Sequence, residues 1–202
     1  MTFRELSVPD SFEITPRIFP DDRGLFLESY RFDEFRAATG RTVDLAQMNT
    51  SVSRRGVVRG IHFADVPPSQ GKYVTVAAGA VIDFVVDIRV GSPTFGQWDS
   101  VLLDTVDRRA VFIPEGLGHA FVALTDDTVV NYLVTSVFNP AIEHGITPLD
   151  EQVGLRFPFE AGGLVLSEKD TAAPTIAEAE SHGLLPLWSD CQALYALLRE
   201  GN

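Results

Sequence analysis

The sequence predicts an all-β fold, an antiparallel sandwich or barrel with a few short helices at its margins. Between Val43 and about Leu133 the chain passes through short runs rich in β-branched and aromatic residues: "VVRGIHF", "KYVTVAAGAVIDFVVDIRV", "WDSVLLD", "RAVFIP" and "HAFVALTDDTVVNYLV". Turn residues (Gly-Ala, Gly-Ser-Pro and Thr-Asp-Asp) separate them. Helical spacing occurs only outside this region. Short strands at such regular intervals, without interleaved helices, point to antiparallel pairing rather than to βαβ units.

Taken in order, the first helix is expected at "DEFRAATG", Asp33 to Gly40, with Phe35 and Ala38 on one side and Gly40 as its stop. In the strand "RGVVRGIHF" an arginine and a histidine stand among Val, Ile and Phe. Arg59 and His62 are three apart, so a flat strand would send them to opposite faces. Gly60 between them is expected to make a bulge or bend that turns both the same way. In "VIDFVVDIRV", Ile82, Phe84, Val86 and Ile88 form one apolar face. Val81, Asp83, Val85, Asp87 and Arg89 form a second face with three charges. That face is either solvated or turned inward to make a polar pocket. After Pro174, "TIAEAESHGLL" opens a helix with Thr175 as N-cap. A last helix is expected from Ser189 to Arg199, capped by Asp190, with Ala193, Leu194 and Leu197 as its apolar stripe.

The 202 residues fit one domain, 1–202, with C-terminal helices from about 174. No repeat or linker divides them. A formal net charge of -12 argues against nucleic acid or an anionic membrane as partner, and an anionic ligand must therefore meet a local cluster of the 16 Lys and Arg. No run approaches the roughly 18 apolar residues of a membrane helix. "MTFRELSVPDSFEITP" lacks a basic region followed by an apolar one, so no signal peptide is expected, and a cytoplasmic location is. The single Cys191 has no partner for an internal disulfide and is read as a bystander.

The chemistry-bearing candidates gain meaning from their company. A lone strand histidine is commonly a packed or surface residue. Around His62, however, stand Arg59, Lys72 at the start of the next strand, and Asp83 on the strand after. Tyr132, in "DTVVNYLV", needs a partner for its hydroxyl if buried. His119 follows two glycines in "EGLGHAFVAL", which suggests a turn into a strand. Asp170, in "LSEKD", reads on its own as a turn residue or cap. Metal catalysis is not expected: no second histidine follows His62 before His119, and Lys72 would repel a cation.

Seven ordered motifs, "DDRGLFLESY", "QMNTSVSRRGVVRGIHF", "PSQGKYVTV", "GSPTFGQWDSVLL", "VFIPEGLGHAFVAL", "VNYLV" and "LSEKD", closely resemble the dTDP-4-dehydrorhamnose 3,5-epimerase family and its antibiotic deoxysugar relatives. The resemblance runs from about Ile14 to Leu185. It implies a cupin-type jelly-roll barrel without metal or cofactor, and a homodimer with exchanged N-terminal strands. The implied substrate is a dTDP-4-keto-6-deoxyhexose, inverted at C3, C5 or both.

Inverting a carbon beside a ketone requires a base on one side of the sugar ring and an acid on the other. By resemblance His62 is the base, Asp170 the carboxylate that orients it, and Tyr132 the acid. Lys72 stands where the family places a cation for the enolate oxygen, with Asp83 behind it. Arg59 and Arg23 match phosphate-binding positions, for which a guanidinium fork is well shaped. Gln47, Asn49 and Glu28 match nucleotide contacts, His119 a contact to sugar or phosphate, and Glu143 a position near the substrate. Arg23, Phe26 and Glu28 are implied to come from the neighbouring subunit. Phe138 departs from the family, which commonly has tyrosine or tryptophan stacked on the thymine, and the number of centres inverted stays open on that account. A non-catalytic nucleotide-sugar-binding module would need the arginines but not His62, Asp170 and Tyr132 together. A metal-dependent oxygenase or isomerase would need bound metal.

Overall fold

A computed structural model describes residues 1–200. The chain begins with β1 (Thr2–Glu5), β2 (Phe12–Thr15) and a hairpin of β3 (Ile18–Asp21) and β4 (Gly24–Leu27), followed by α1 (Phe32–Thr39). Eight strands then follow: β5 (Gln47–Ser53), β6 (Val58–Ala64), β7 (Lys72–Ala78), β8 (Ala80–Val86), β9 (Trp98–Asp104), β10 (Ala110–Ile113), β11 (Gly118–Ala123) and β12 (Thr128–Val134). After a short β13 (Glu143–Gly145) come α2 (Glu168–Thr171), α3 (Ile176–Ser181) and α4 (Trp188–Glu200). The structure is thus mostly β-sheet with a few short helices.

Among the described residues the strands form a six-stranded sheet, β1-β2-β10-β7-β12-β5, a five-stranded sheet, β13-β6-β11-β8-β9, and the separate β3-β4 hairpin. Every pairing between named strands is antiparallel. Most neighbours in space are not neighbours in sequence. Consecutive strands β6 and β7 lie in different sheets, so His62 and Lys72 stand on opposite sides of the gap between the sheets rather than along a shared ladder.

Three apolar layers hold this arrangement. Between the sheets, Val74, Val76, Val111, Ile113 and Val130 pack against Val81, Val85, Val101, Leu103 and Phe121. Behind the five-stranded sheet, Ile61, Phe63, Phe84, Val86 and Val122 are covered by Ile146, Val153, Ile176, Ala179 and Leu185. Behind the six-stranded sheet, Ile14, Tyr73 and Phe112 are covered by Phe35 of α1. Because the central strands are buried on both faces, β11 is buried at every position and, His119 apart, reads as an apolar run rather than an alternation.

The two faces of "VIDFVVDIRV" are both buried. Val81 and Val85 join the inter-sheet layer, and Phe84 and Val86 the layer behind. The three charges turn inward. Asp83 faces the gap between the sheets, while Asp87 and Arg89 form a buried ion pair at one end. Arg89 lies over the Trp188 ring, and its Nη1 donates to the hydroxyl of Tyr195 on α4.

Several expectations need correction. Strands begin at Thr2 rather than near Val43, because β2 pairs with β10 and β1 pairs with β2, which extends the sheet. In α1 the buried pair is Phe35 and Thr39, not Phe35 and Ala38, and the Thr39 hydroxyl donates to the Phe35 carbonyl. In α4 Cys191 and Tyr195 face inward, whereas Leu197 is exposed, since the partners of this helix are Arg89 and Glu115. Asp190 lies inside the first turn of α4 rather than capping it. Asp170 lies inside the one-turn helix α2, whose cap is Ser167, rather than being a turn residue or the cap itself. Gly40 and Thr175 act as expected: the glycine closes α1 in the left-handed region, and the threonine forms a reciprocal cap with Glu178.

Candidate active site

The gap between the sheets opens at one end into a cavity of about 250 Å³ lined by Asn49, Arg59, His62, Gln70, Lys72, His119, Phe121, Tyr132, Val134, Phe138 and Glu143. Strand register explains which side chains reach it. In the six-stranded sheet Tyr132 lies opposite Asn49 on one side and Val74 on the other, and Val134 lies opposite Gln47 and Lys72. Period-two spacing and diagonal neighbours therefore place Gln47, Asn49, Lys72 and Tyr132 on one face. In the five-stranded sheet His119 lies opposite His62 and Val85, and Phe121 opposite Arg59 and Asp83. The two walls confront each other.

The second wall depends on Gly60. Between the His62–His119 and Arg59–Phe121 pairs, β6 advances three residues while β11 advances two, a bulge. Gly60 has φ +117°, and a Cβ there would lie 2.3 Å from the His119 carbonyl oxygen. Only glycine fits. The extra residue restores the parity that a spacing of three breaks, so Arg59 and His62 line the same cavity.

His62 Nε2 and Asp170 Oδ1 are 2.7 Å apart. Asp170 is buried, while His62 keeps about a third of its side chain accessible. Burial pushes the Asp170 carboxyl upward, but the hydrogen bond and charge of His62 and the Ser167 hydroxyl outweigh it and hold the group below the usual carboxylate range. Tyr132 is raised above an ordinary phenol chiefly by burial, and its hydroxyl lies 3.3 Å from Ser51 Oγ. Lys72 is lowered by burial, an effect partly offset by Glu143 and Asp83.

Asp83 pairs with His119 rather than with Lys72: its Oδ2 lies 2.8 Å from His119 Nε2. Its influence on the lysine is through space. Burial raises the Asp83 carboxyl, with His119 and Lys72 opposing the shift, and its Oδ1 is buried without a hydrogen-bond partner. The His119 ring meets that of Tyr132 edge-on at 6.0 Å. Arg59 donates from Nε to Ser53 Oγ and from Nη2 to the Val52 carbonyl, at 3.2 and 3.4 Å.

At the rim, Gln47 donates to Asn49 Oδ1 and accepts from the Phe138 backbone, and the Phe138 side chain is exposed. Arg23, Phe26 and Glu28 are absent from the cavity lining. They lie on or just after the β3–β4 hairpin, where Arg23 is paired with Asp21, Glu28 approaches Arg31 at 3.6 Å, and Phe26 is 66% exposed. Among the described residues no group of three or more His, Cys, Asp or Glu is placed to hold a metal ion. No described helix is long and apolar enough to cross a membrane.

Four residues escape a reading based on charge and rarity: Ser51 beside Tyr132, Ser53 beside Arg59, Gln70 on the lining, and Ser167 beside Asp170. Two had a local signal. Ser51 follows Gln47 and Asn49 at period two, and Ser167 stands three residues before Asp170, the spacing of an N-cap.

A two-sheet β fold that brings a carboxylate-backed imidazole and a phenol to one cavity, beside a desolvated ammonium, is equipped to move protons next to a carbonyl group. The chain belongs to the dTDP-4-dehydrorhamnose 3,5-epimerase family, whose sequence model matches residues 5–178. It is 55% identical over 199 residues to a dTDP-4-dehydrorhamnose 3,5-epimerase of Mycolicibacterium smegmatis, covering 98% of each chain. A dTDP-4-dehydrorhamnose 3-epimerase of Streptomyces niveus is 50% identical over 194 residues, covering 96% of this chain and 93% of that one. The solved structure of the rmlC epimerase of Mycobacterium tuberculosis superposes with a TM-score of 0.95 at 49% identity, covering 98% of this chain and 100% of that one.

Proposed function

We propose that this protein is an isomerase that inverts C3 and C5 of a dTDP-4-keto-6-deoxyhexose, the type of step that rhamnose and other deoxysugars require. The observation that carries the proposal is that His62 and Tyr132 open onto one cavity from opposing sheets, with Asp170 bound to the far side of the imidazole.

With Nε2 engaged by Asp170, Nδ1 of His62 is left to take the proton from the carbon beside the ketone. The C–H electron pair moves into the enolate, and negative charge collects on the 4-oxygen. The Lys72 ammonium balances that charge in a partly desolvated site, where such an interaction is strongest. Tyr132, on the opposite wall, returns a proton to the other face of the ring, and its burial keeps the phenol protonated and able to donate. The His62 imidazolium then gives its proton to solvent and the Tyr132 phenolate takes one from it, and rotation of the sugar about its link to the diphosphate would present the second centre to the reset pair. Arg59 is assigned to the diphosphate, Gln47, Asn49 and Phe138 to the nucleotide, and His119 and Glu143 to the sugar or its near phosphate. No cofactor enters this scheme.

The fold is proposed to be a cupin-type jelly roll forming a single domain over 1–202, and the protein a cytoplasmic homodimer with exchanged N-terminal strands. The β3–β4 hairpin joins neither large sheet and carries the exposed Phe19, Leu25 and Phe26. Beside the cavity, β5 is a free edge with Met48 and Val52 exposed. An extended segment from a second copy would cover both. Arg23, Phe26 and Glu28 would then complete the partner's site.

Inversion of one centre only is the second reading, favoured by Phe138 and by the relative named a 3-epimerase. Incubation with dTDP-4-keto-6-deoxyglucose, followed by NMR of the product, decides between them. Inversion at both centres supports the proposal, inversion at one supports the second reading, and unchanged substrate overturns both.

A further inference from the structure

We infer that Ser167 is a positioning residue for the acid–base pair: its hydroxyl clamps the Asp170 carboxylate so that one oxygen faces His62. The inference rests on His62 being the base, and adds the element that holds the base in place.

The geometry is a closed loop of hydrogen bonds. Ser167 Oγ donates to Asp170 Oδ2 at 2.9 Å and accepts from the Asp170 backbone N–H at 3.1 Å. A serine hydroxyl has a single proton, and here it is committed to the carboxylate, because the backbone N–H fills an acceptor position on the oxygen. The other carboxylate oxygen, Oδ1, is thereby directed at His62 Nε2, 2.7 Å away. Helix α2, which carries Asp170, is only four residues long and supplies little rigidity of its own.

Ser167 is itself anchored to the strand that bears the histidine. Two residues earlier, Val165 receives a hydrogen bond from Val58 N and donates to the Gly56 carbonyl, each at 2.9 Å. The segment before α2 therefore runs as a short parallel bridge beside the start of β6. Strand, serine, carboxylate and imidazole form one continuous path, so the spacing of Asp170 from His62 is set by backbone pairing and relayed by the Ser167 hydroxyl. A second cavity, of about 280 Å³, opens on this relay and is lined by Ser167, Lys169 and Asp170 together with Arg59 and His62. An Asp170 carboxylate without its clamp would have room to turn into that cavity and away from His62.

The test separates the capping role of Ser167 from its donor role. Asp at this position is as good a helix cap as Ser, but it cannot donate a proton to Asp170 and sets a like charge against it. Thr keeps both functions. The expected results are a fall in kcat of about tenfold for S167A with KM within about twofold, and a larger fall for S167D. S167T should recover most of the turnover lost in S167A. In S167D the acidic limb of the kcat/KM profile should move to higher pH, because the added negative charge favours the protonated imidazole. Circular dichroism and thermal melts of each variant establish that the fold is retained. S167D turning over like the unaltered protein, beside an inactive H62N, overturns this inference alone. Full turnover by H62N overturns the assignment of the base and this inference with it.

Discussion

His62 on β6 and Tyr132 on β12 belong to different sheets, 70 positions apart in sequence, and line one cavity from opposite walls. A sandwich is suited to placing two groups this way, since each inner face holds its side chains at fixed two-residue intervals and the gap between the sheets sets their separation. H62N and Y132F should each lower turnover by roughly 10²-fold to 10⁴-fold while leaving the thermal transition nearly in place. Steady-state kinetics beside calorimetry checks this, and full activity in either variant removes that residue from the mechanism.

Lys72 is lowered by burial, with Glu143 and Asp83 opposing the shift. If its ammonium holds the enolate oxygen, K72M should lose roughly 10²-fold to 10³-fold in kcat with little change in KM. The sign of its pH dependence follows: the charged form is required, so activity should fall on the alkaline side at a pH below the ordinary lysine value. A pH profile of kcat with an alkaline limb at or above that value would contradict the role.

Gly60 is the backbone device that turns Arg59 and His62 to the same side. In G60A the new Cβ would meet the His119 carbonyl and Ala120, 2.3 and 2.6 Å away, at a positive φ that alanine resists. The expected cost is about 3 kcal/mol, a fall in Tm of roughly 6–12 °C for a domain of this size, with activity lost as the bulge rearranges. An unchanged melting temperature would show that the bulge tolerates a side chain.

Asp87 is buried, yet it sits below the usual carboxylate range: burial raises it, and donors from Arg89, Ser92 and Thr94 more than compensate. A carboxyl lowered on folding stabilises the native state fully above its ordinary pKa, and that contribution is lost as pH falls through the lowered value. Asp170 adds to the same acid-side loss. Urea midpoints should therefore drop steeply below about pH 4. D87N should flatten that drop while costing about 3–5 kcal/mol at neutral pH, because Arg89 is left buried without its partner. Parallel pH curves for the two proteins would contradict this.

The strands from Val58 to Val134 are legible in the sequence because their runs are long enough to display a period and end at recognisable turns, whereas the three-residue β13 is too short to show one. The four-residue strands "TFRE" and "FEIT" are not, since they join the sheet only through the pairing of "FEIT" with "AVF" of β10, about 100 residues away. The buried side of α4 is ambiguous for the same reason. Ala193, Leu194 and Leu197 satisfy a helical stripe as well as Cys191 and Tyr195 do, and distant Arg89 and Glu115 decide between them. In the site, the bend at Gly60 is legible from the forbidden spacing of Arg59 and His62. The approach of Asp170 to His62 is a tertiary contact across 108 positions, accessible from the sequence only through resemblance. Asp83 acts on Lys72 through charge alone, because His119 lies diagonally across the ladder and takes its hydrogen bond.

The most direct measurement of the central claim is solvent-deuterium incorporation into the keto-sugar nucleotide by the unaltered protein, H62N and Y132F. The proposed mechanism requires the unaltered protein to place one deuterium at each centre it inverts. Y132F should take up deuterium at those carbons without inverting them, because the proton on His62 exchanges with solvent before His62 returns it to the same face, and H62N should do neither. Deuterium entering at the normal rate in H62N would show that another group removes the proton.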